Sequence, residues 1–154
     1  MSDLVIVAAQ PNPPGRDRAA RGSSQNRILN EEWIEIRAAT ARSLIGDEVW
    51  HRTHTSSCVP NGVARYYKFG SLFLSAGQSV RVHTGVGQAF WEGSTHHVFA
   101  GHDWFKWNNA CGDRVTVAYS NSVIDYAEYS SNPPECVLVR QAGTHLLVPR
   151  SRLY

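Results

Sequence analysis

Short runs of alternating apolar and polar residues, each cut off by proline, glycine or asparagine, recur from Leu4 to Val148, and no stretch holds a helical period long enough to specify a confident helix. Successive side chains of a strand point to opposite faces, so this pattern calls for many short strands with one face buried. Turn signals between them leave two architectures, a sandwich or a barrel. The chain is therefore expected to be all-β.

The runs can be placed individually. Leu4-Val5-Ile6-Val7 is β-branched and stops at Pro11, Pro13, Pro14 and Gly15, because proline cannot continue a central strand. Residues 15–27 are polar and rich in Gly, Ser and Arg, and read as a loop. Glu31 to Arg37 alternates so that Trp33 faces away from Ile34 and Ile36. Residues 38–43 hold one helical turn at most. Val49 to Thr55 reads as a strand, Pro60-Asn61-Gly62 as a turn, and Arg65 to Phe69 as a further strand. Ser79 to His83 points Val80 and Val82 inward. Residues 88–109 are a long aromatic connection with no clear period, a length usual for a functional loop. Arg114 to Tyr119 and Val123 to Tyr129 form a hairpin across Ser120-Asn121. After Pro133-Pro134, Cys136 to Val139 and His145 to Val148 form a second hairpin. The expected organisation is a sandwich over 1–131 and a C-terminal extension, 132–154, packed on the same domain.

With 154 residues and 42% hydrophobic content, the chain suits one domain with a real core. A net charge of +2 does not by itself imply a nucleic-acid partner. The cysteines, Cys58, Cys111 and Cys136, are odd in number and include no CxxC pair, so a zinc knuckle is unsupported. Leu4 to Ala9 is too short an apolar run for a signal peptide or a membrane span. The default expectation is a cytoplasmic protein with reduced thiols, one disulfide plus a spare thiol being the alternative.

Five segments, in order, resemble the lamin tail domain family: Ile6 to Gly15 (IVAAQPNPPG), Asn30 to Arg37 (NEEWIEIR), Tyr67-Lys68-Phe69 with Leu74 to Gly85 (LSAGQSVRVHTG), Trp107-Asn108-Asn109 with Gly112 to Val117, and Val123-Ile124-Asp125 with Tyr129. The match spans roughly residues 4–130. The sequence departs from the family after Arg37, where Ala38-Ala39-Thr40 follows, and at Gly46-Asp47, where Gly-Trp is frequent. The resemblance implies an immunoglobulin-like β-sandwich, here with an extra C-terminal hairpin. It also implies, through the family's association with DNA and chromatin, a nucleic-acid alternative.

No catalytic constellation is present: there is no G-x-S-x-G, no P-loop and no G-x-G-x-x-G opening a helix. Gly85-Val86-Gly87 reads as a turn. Glu31, Glu32 and Glu35 are expected to face solvent or cap backbone groups. His96, His97 and His102, with Asp103, contain metal-ligating types, yet their spacing matches no HExxH motif and adjacent strand residues face opposite ways. A metal-dependent enzyme built on them is therefore the remotest reading, and neither a metal nor a cofactor is expected.

Trp33 and Trp107 fall in family-like segments and are expected to pack. Trp91, His97, Phe99, Trp104 and Phe105 lie in the aromatic connection, and aromatics beside polar residues make protein-interface anchors. Arg16, Arg18, Arg21 and Arg27, with Arg150 and Arg152, are the candidate phosphate contacts. The function expected from these features is a non-enzymatic interaction or assembly module with a protein partner or its own copies. Non-specific nucleic-acid binding is the alternative, and no membrane span is expected.

Overall fold

The computed structural model describes residues 3–16 and 23–150. The chain runs through β1 (Leu4–Gln10), α1 (Ser23–Leu29), β2 (Trp33–Ala38), β3 (Arg42–Ser43), β4 (Glu48–His54), β5 (Pro60–Lys68), β6 (Phe73–Leu74), β7 (Ser79–His83), β8 (Phe90–Glu92), β9 (Thr95–Phe99), β10 (Asp113–Tyr119), β11 (Ser122–Tyr129), β12 (Leu138–Arg140) and β13 (Leu147–Pro149). One sheet has the order β13-β12-β1-β2-β7-β9-β8, a second has β11-β10-β4-β5, and β3 pairs with β6. The protein is all-β, with its sheets packed together.

The alternation seen in the sequence builds the core directly. Leu4, Ile6, Ile34, Ile36, Val80 and Val82 come from the large sheet, and Val49, Tyr66, Val115, Val117, Ala127 and Tyr129 from the other, in one buried cluster. Burying each large aliphatic side chain stabilises the fold by about 1.5–3 kcal/mol relative to exposure. The register Ile6↔Ile36 and Ile36↔Val80 sets these residues side by side across three strands. Asp125 of β11 fastens the layers together: it accepts from the Ile6 N–H at 2.9 Å and from Arg140 Nη1 at 2.7 Å. The C-terminal hairpin adds β12 to the free side of β1, through Ala8↔Val139 and Ala9↔Leu138.

The hairpin between β10 and β11 turns at Ser120-Asn121, with φ of 49° and 68°. Positive φ at both central residues is the type I′ geometry that matches the twist of paired strands, and asparagine tolerates it.

Four local expectations change. A helix, α1, occupies 23–29, where a loop was expected; its residues Asn26 and Asn30, just past its end, clasp Val86 through its N–H at 2.9 Å and its carbonyl at 3.1 and 2.9 Å. Residues 38–43 do not make a helical turn; the chain leaves β2 at Ala38 and enters β3. Pro60-Asn61-Gly62 is not the turn but the start of β5, an edge strand, where a first-position proline loses no ladder hydrogen bond. The reversal lies at 55–59 instead, closed by Cys58 N–H to Thr55 O at 3.0 Å and Thr55 N–H to Val59 O at 2.9 Å. The 88–109 segment contains two strands, β8 and β9, and β9 lies parallel to β7. The cysteines are not all reduced: Cys58 and Cys111 form a disulfide, and Cys136 is free and exposed. Among the described residues, no helix is long and apolar enough to cross a membrane.

Candidate functional site

The chain leaves β7, runs past the position of β9, forms β8, and returns through Gly93-Ser94 as β9, which inserts between β7 and β8. This route makes β8 the outermost strand of the large sheet. All three of its residues are exposed, Phe90 by 47% and Trp91 by 46%. One side of β8 pairs with β9 in the register Phe90↔His97, Trp91↔His96, Glu92↔Thr95; its other side has no strand partner among the described residues. Rings stiffen the hairpin. Phe90 stacks parallel on His97 at 4.4 Å, and Trp91 tilts against His96 at 4.7 Å. Gly87 leaves room for the Phe99 ring: a Cβ at that position would come within 2.7 Å of it, so a larger residue there would displace the ring.

Behind β8 lies a chain of polar groups. Asn30 O meets His83 Nδ1 at 2.6 Å, His83 Nε2 meets His97 Nδ1 at 2.8 Å, and His97 Nε2 meets Glu92 Oε1 at 3.2 Å. His83 and His97 are buried, whereas the Glu92 side chain is 75% exposed. Burial holds His83 well below the ordinary imidazole value, at about 4; the nearby His97 and Arg81 charges push the same way, and the contact to Asn30 opposes them.

Glu32 meets one half of the expectation for the acidic residues and not the other: it accepts a backbone N–H, that of Lys106, but from inside the fold. It is fully buried, not solvent-facing. The reason was present in the alternation: Trp33 faces outward, so Glu32 shares the inward direction of Ile34. Its Oε1 accepts from the Thr84 hydroxyl at 2.8 Å and from the Lys106 N–H at 2.9 Å; Oε2 lacks a hydrogen bond and lies 3.8 Å from Arg16 Nη1. Burial pushes its pKa up to about 7, against the lowering influence of Arg16 and of these donors. The Tyr66 hydroxyl donates to Val82 O at 3.1 Å and contacts Thr84 Oγ1 at 2.8 Å. Above this cluster, an open cleft of about 580 Å³ is walled by Arg16, Trp104, Phe105, Lys106 and Asn109. Glu35, by contrast, accepts from Arg81 on the outer face of the large sheet, where the same guanidinium covers the Trp33 ring at 3.8 Å. Trp33 is thus buried, as expected of a packing residue, but beneath an arginine and not in the core.

The five candidate interface aromatics separate into two groups. Trp91 and Trp104 are exposed, the latter by 42%; His97 and Phe105 are buried, and Phe99 is partly covered, stacked on His83 at 4.9 Å. Of the candidate phosphate-binding arginines, Arg16 turns inward: it donates to Pro11 O at 3.0 Å, lies 4.7 Å over the Phe105 ring and approaches Glu32. Arg27 and Arg150 are exposed, while Arg18, Arg21 and Arg152 lie outside the described residues. The three histidines considered for a metal do not converge. His96 sits against Trp91, His97 belongs to the buried chain, and His102 places Nε2 2.7 Å from Tyr66 O. Among the described residues, no group of three or more His, Cys, Asp or Glu is placed to hold a metal ion.

No protein-family model matches the sequence, and no curated protein matches it.

Proposed function

We propose that this chain is a non-enzymatic interaction or assembly module, an immunoglobulin-like sandwich of the lamin tail type, that docks a protein partner along β8. The observation carrying this reading is an edge strand with one unpaired side and two half-exposed aromatics, Phe90 and Trp91. Such an edge offers backbone donors and acceptors to an incoming extended segment, and its side chains supply the selectivity. Aromatic anchors of this kind carry a large share of interface energy. The lamin-tail assignment draws on the five ordered segments. The immunoglobulin-like assignment draws on two packed sheets whose neighbouring strands are distant in sequence, as β2 with β7 and β4 with β10.

The test compares wild type with Trp91→Lys, immobilised in parallel and challenged with native extract and with soluble copies of the chain. A specific partner, or self-association, retained by wild type and lost by the variant is the expected result. Equal retention by both proteins defeats the assignment of β8.

A further inference from the structure

We infer that Asn61 is a site of self-modification: assisted by Thr53, it loses ammonia to the backbone nitrogen of Gly62 and leaves an aspartate or isoaspartate in the edge strand β5. Ring closure of this kind brings the nitrogen of the next residue onto the side-chain carbon of the asparagine. A side chain on that next residue obstructs the approach, and glycine has none. Gly62 is the one glycine of the chain that follows an asparagine. The fold leaves the pair open. Across β4 and β5, Thr53 stands opposite Gly62 and His54 opposite Pro60, so Asn61 is the extra residue of a β-bulge with no partner in the ladder. Asn61 and Gly62 are both exposed, and β5 is the edge of the four-stranded sheet. The Thr53 hydroxyl donates to Asn61 Oδ1 at 2.7 Å. That oxygen is where negative charge collects when the amide carbon becomes tetrahedral, so the donor favours the step.

In the reaction the Gly62 nitrogen gives its proton to solvent and bonds to Asn61 Cγ. The Cγ–Nδ2 bond breaks, and ammonia leaves with a proton taken from solvent. Water then opens the succinimide at either carbonyl, giving aspartate or isoaspartate, and no oxidant or reductant takes part. The other asparagines are less well placed. Asn12 and Asn132 precede prolines, whose nitrogen carries no hydrogen. Asn26 and Asn30 hold Val86, Asn108 Oδ1 accepts the Cys111 N–H, and Asn109 Oδ1 is buried. Asn121, in the β10–β11 turn, is followed by Ser122 and is the nearest rival. The product changes the character of the edge. Residues 55–64 contain no Asp, Glu, Lys or Arg, and Val59 and Val63 are each 57% exposed. A carboxylate at Asn61 sets a charge in that stretch, and the isoaspartate form also routes the main chain through the side-chain methylene. Charge on an edge strand opposes pairing with another chain, so the reaction turns β5 from an open edge into a guarded one.

The test is incubation of the native protein in mildly alkaline buffer, sampled over time by peptide mapping and mass spectrometry. The same protein unfolded in guanidinium chloride, with its disulfide intact, runs beside it. Asn61 is expected to convert first among the asparagines of the native protein, by way of the succinimide. Thr53→Val should slow native conversion about threefold, the effect of losing one exposed neutral hydrogen bond. Thr53→Ser keeps the hydroxyl and should convert as wild type does. In guanidinium chloride all three proteins should convert alike, since the hydrogen bond exists only in the fold. Three results would overturn the inference: Asn61 intact in the native protein while the unfolded chain converts, Asn121 converting ahead of Asn61 in the native protein, or native Thr53→Val converting as fast as wild type and Thr53→Ser.

Discussion

The Thr84 hydroxyl donates to Glu32 Oε1 at 2.8 Å, joining the residue after β7 to the residue before β2 inside the sandwich. Two further links reinforce the same point, Thr84 N–H to Glu32 O at 3.0 Å and Lys106 N–H to Glu32 Oε1 at 2.9 Å. One carboxylate thus positions the segment that carries Phe105 and Trp107, and it does so with one oxygen short of a hydrogen bond.

Burial of the Glu32 carboxyl makes stability depend on pH. The folded-state pKa of Glu32 is about 7, above the value of 4.5 for an unperturbed side chain. Between these values the folded protein binds the proton more tightly than the unfolded chain, so stability falls as pH rises and levels off above 7. The full difference is on the order of 3 kcal/mol for this fully buried group. Glu32→Gln keeps an acceptor oxygen for Thr84 and Lys106 and removes the ionisation. Urea denaturation should therefore find the variant more stable than wild type at pH 8 and close to it at pH 5. The same stability gap at both pH values would contradict the assignment.

A second prediction concerns the disulfide. Cys58, at the tip of the β4–β5 hairpin with φ of 62°, bonds to Cys111, which stands just before β10 and is separated from it by 53 positions. Closing a loop of that length restricts the unfolded chain by about 4 kcal/mol on the chain-entropy model. Reduction, or Cys58→Ser with Cys111→Ser, should lower the urea midpoint accordingly. Thiol titration of the native oxidised protein should detect only Cys136, and all three cysteines after reduction and unfolding. Reactivity of all three before reductant is added would refute the pairing.

What could be read from the sequence follows from how local its cause is. The β10–β11 hairpin was legible because Ser120-Asn121 and the alternation on either side of it specify the turn without help from distant residues. Pro60-Asn61-Gly62 misled for the complementary reason: the reversal sits at Cys58, whose left-handed backbone is accompanied by a bond to Cys111 that no local pattern announces. Strands β8 and β9 were hidden because β8 is exposed throughout, so it shows no inward period, and β9 is paired on both sides. The exposed aromatics Trp91 and Trp104 were found by residue type alone. His83 and Glu32 were not, because their partners, His97, Thr84 and Lys106, are brought to them only by the closed sheet.

Asp125 provides the third prediction, since it couples the C-terminal hairpin to the rest of the sandwich. Its Oδ2 takes both the Ile6 N–H and Arg140 Nη1, and Arg140 Nη1 also reaches Ile6 O at 3.1 Å. The Asp125 side chain is 5% exposed, so Asp125→Ala strands a buried N–H and leaves Arg140 without its counter-charge. Breaking a buried pair from one side costs about 3–5 kcal/mol; the partial exposure of Arg140 places this one near the lower end. Asp125→Asn, which keeps an acceptor for the Ile6 N–H, should lose less. Because β12 pairs with β1 at Ala8 and Ala9, close to Ile6, the damage should appear first as faster amide exchange in β12 and β13, ahead of global unfolding. Chemical denaturation measures the total loss and residue-resolved exchange its location. A loss under about 1 kcal/mol, within the range of exposed ion pairs, would show that the hairpin is held by its backbone ladder and apolar contacts, with Asp125 contributing little.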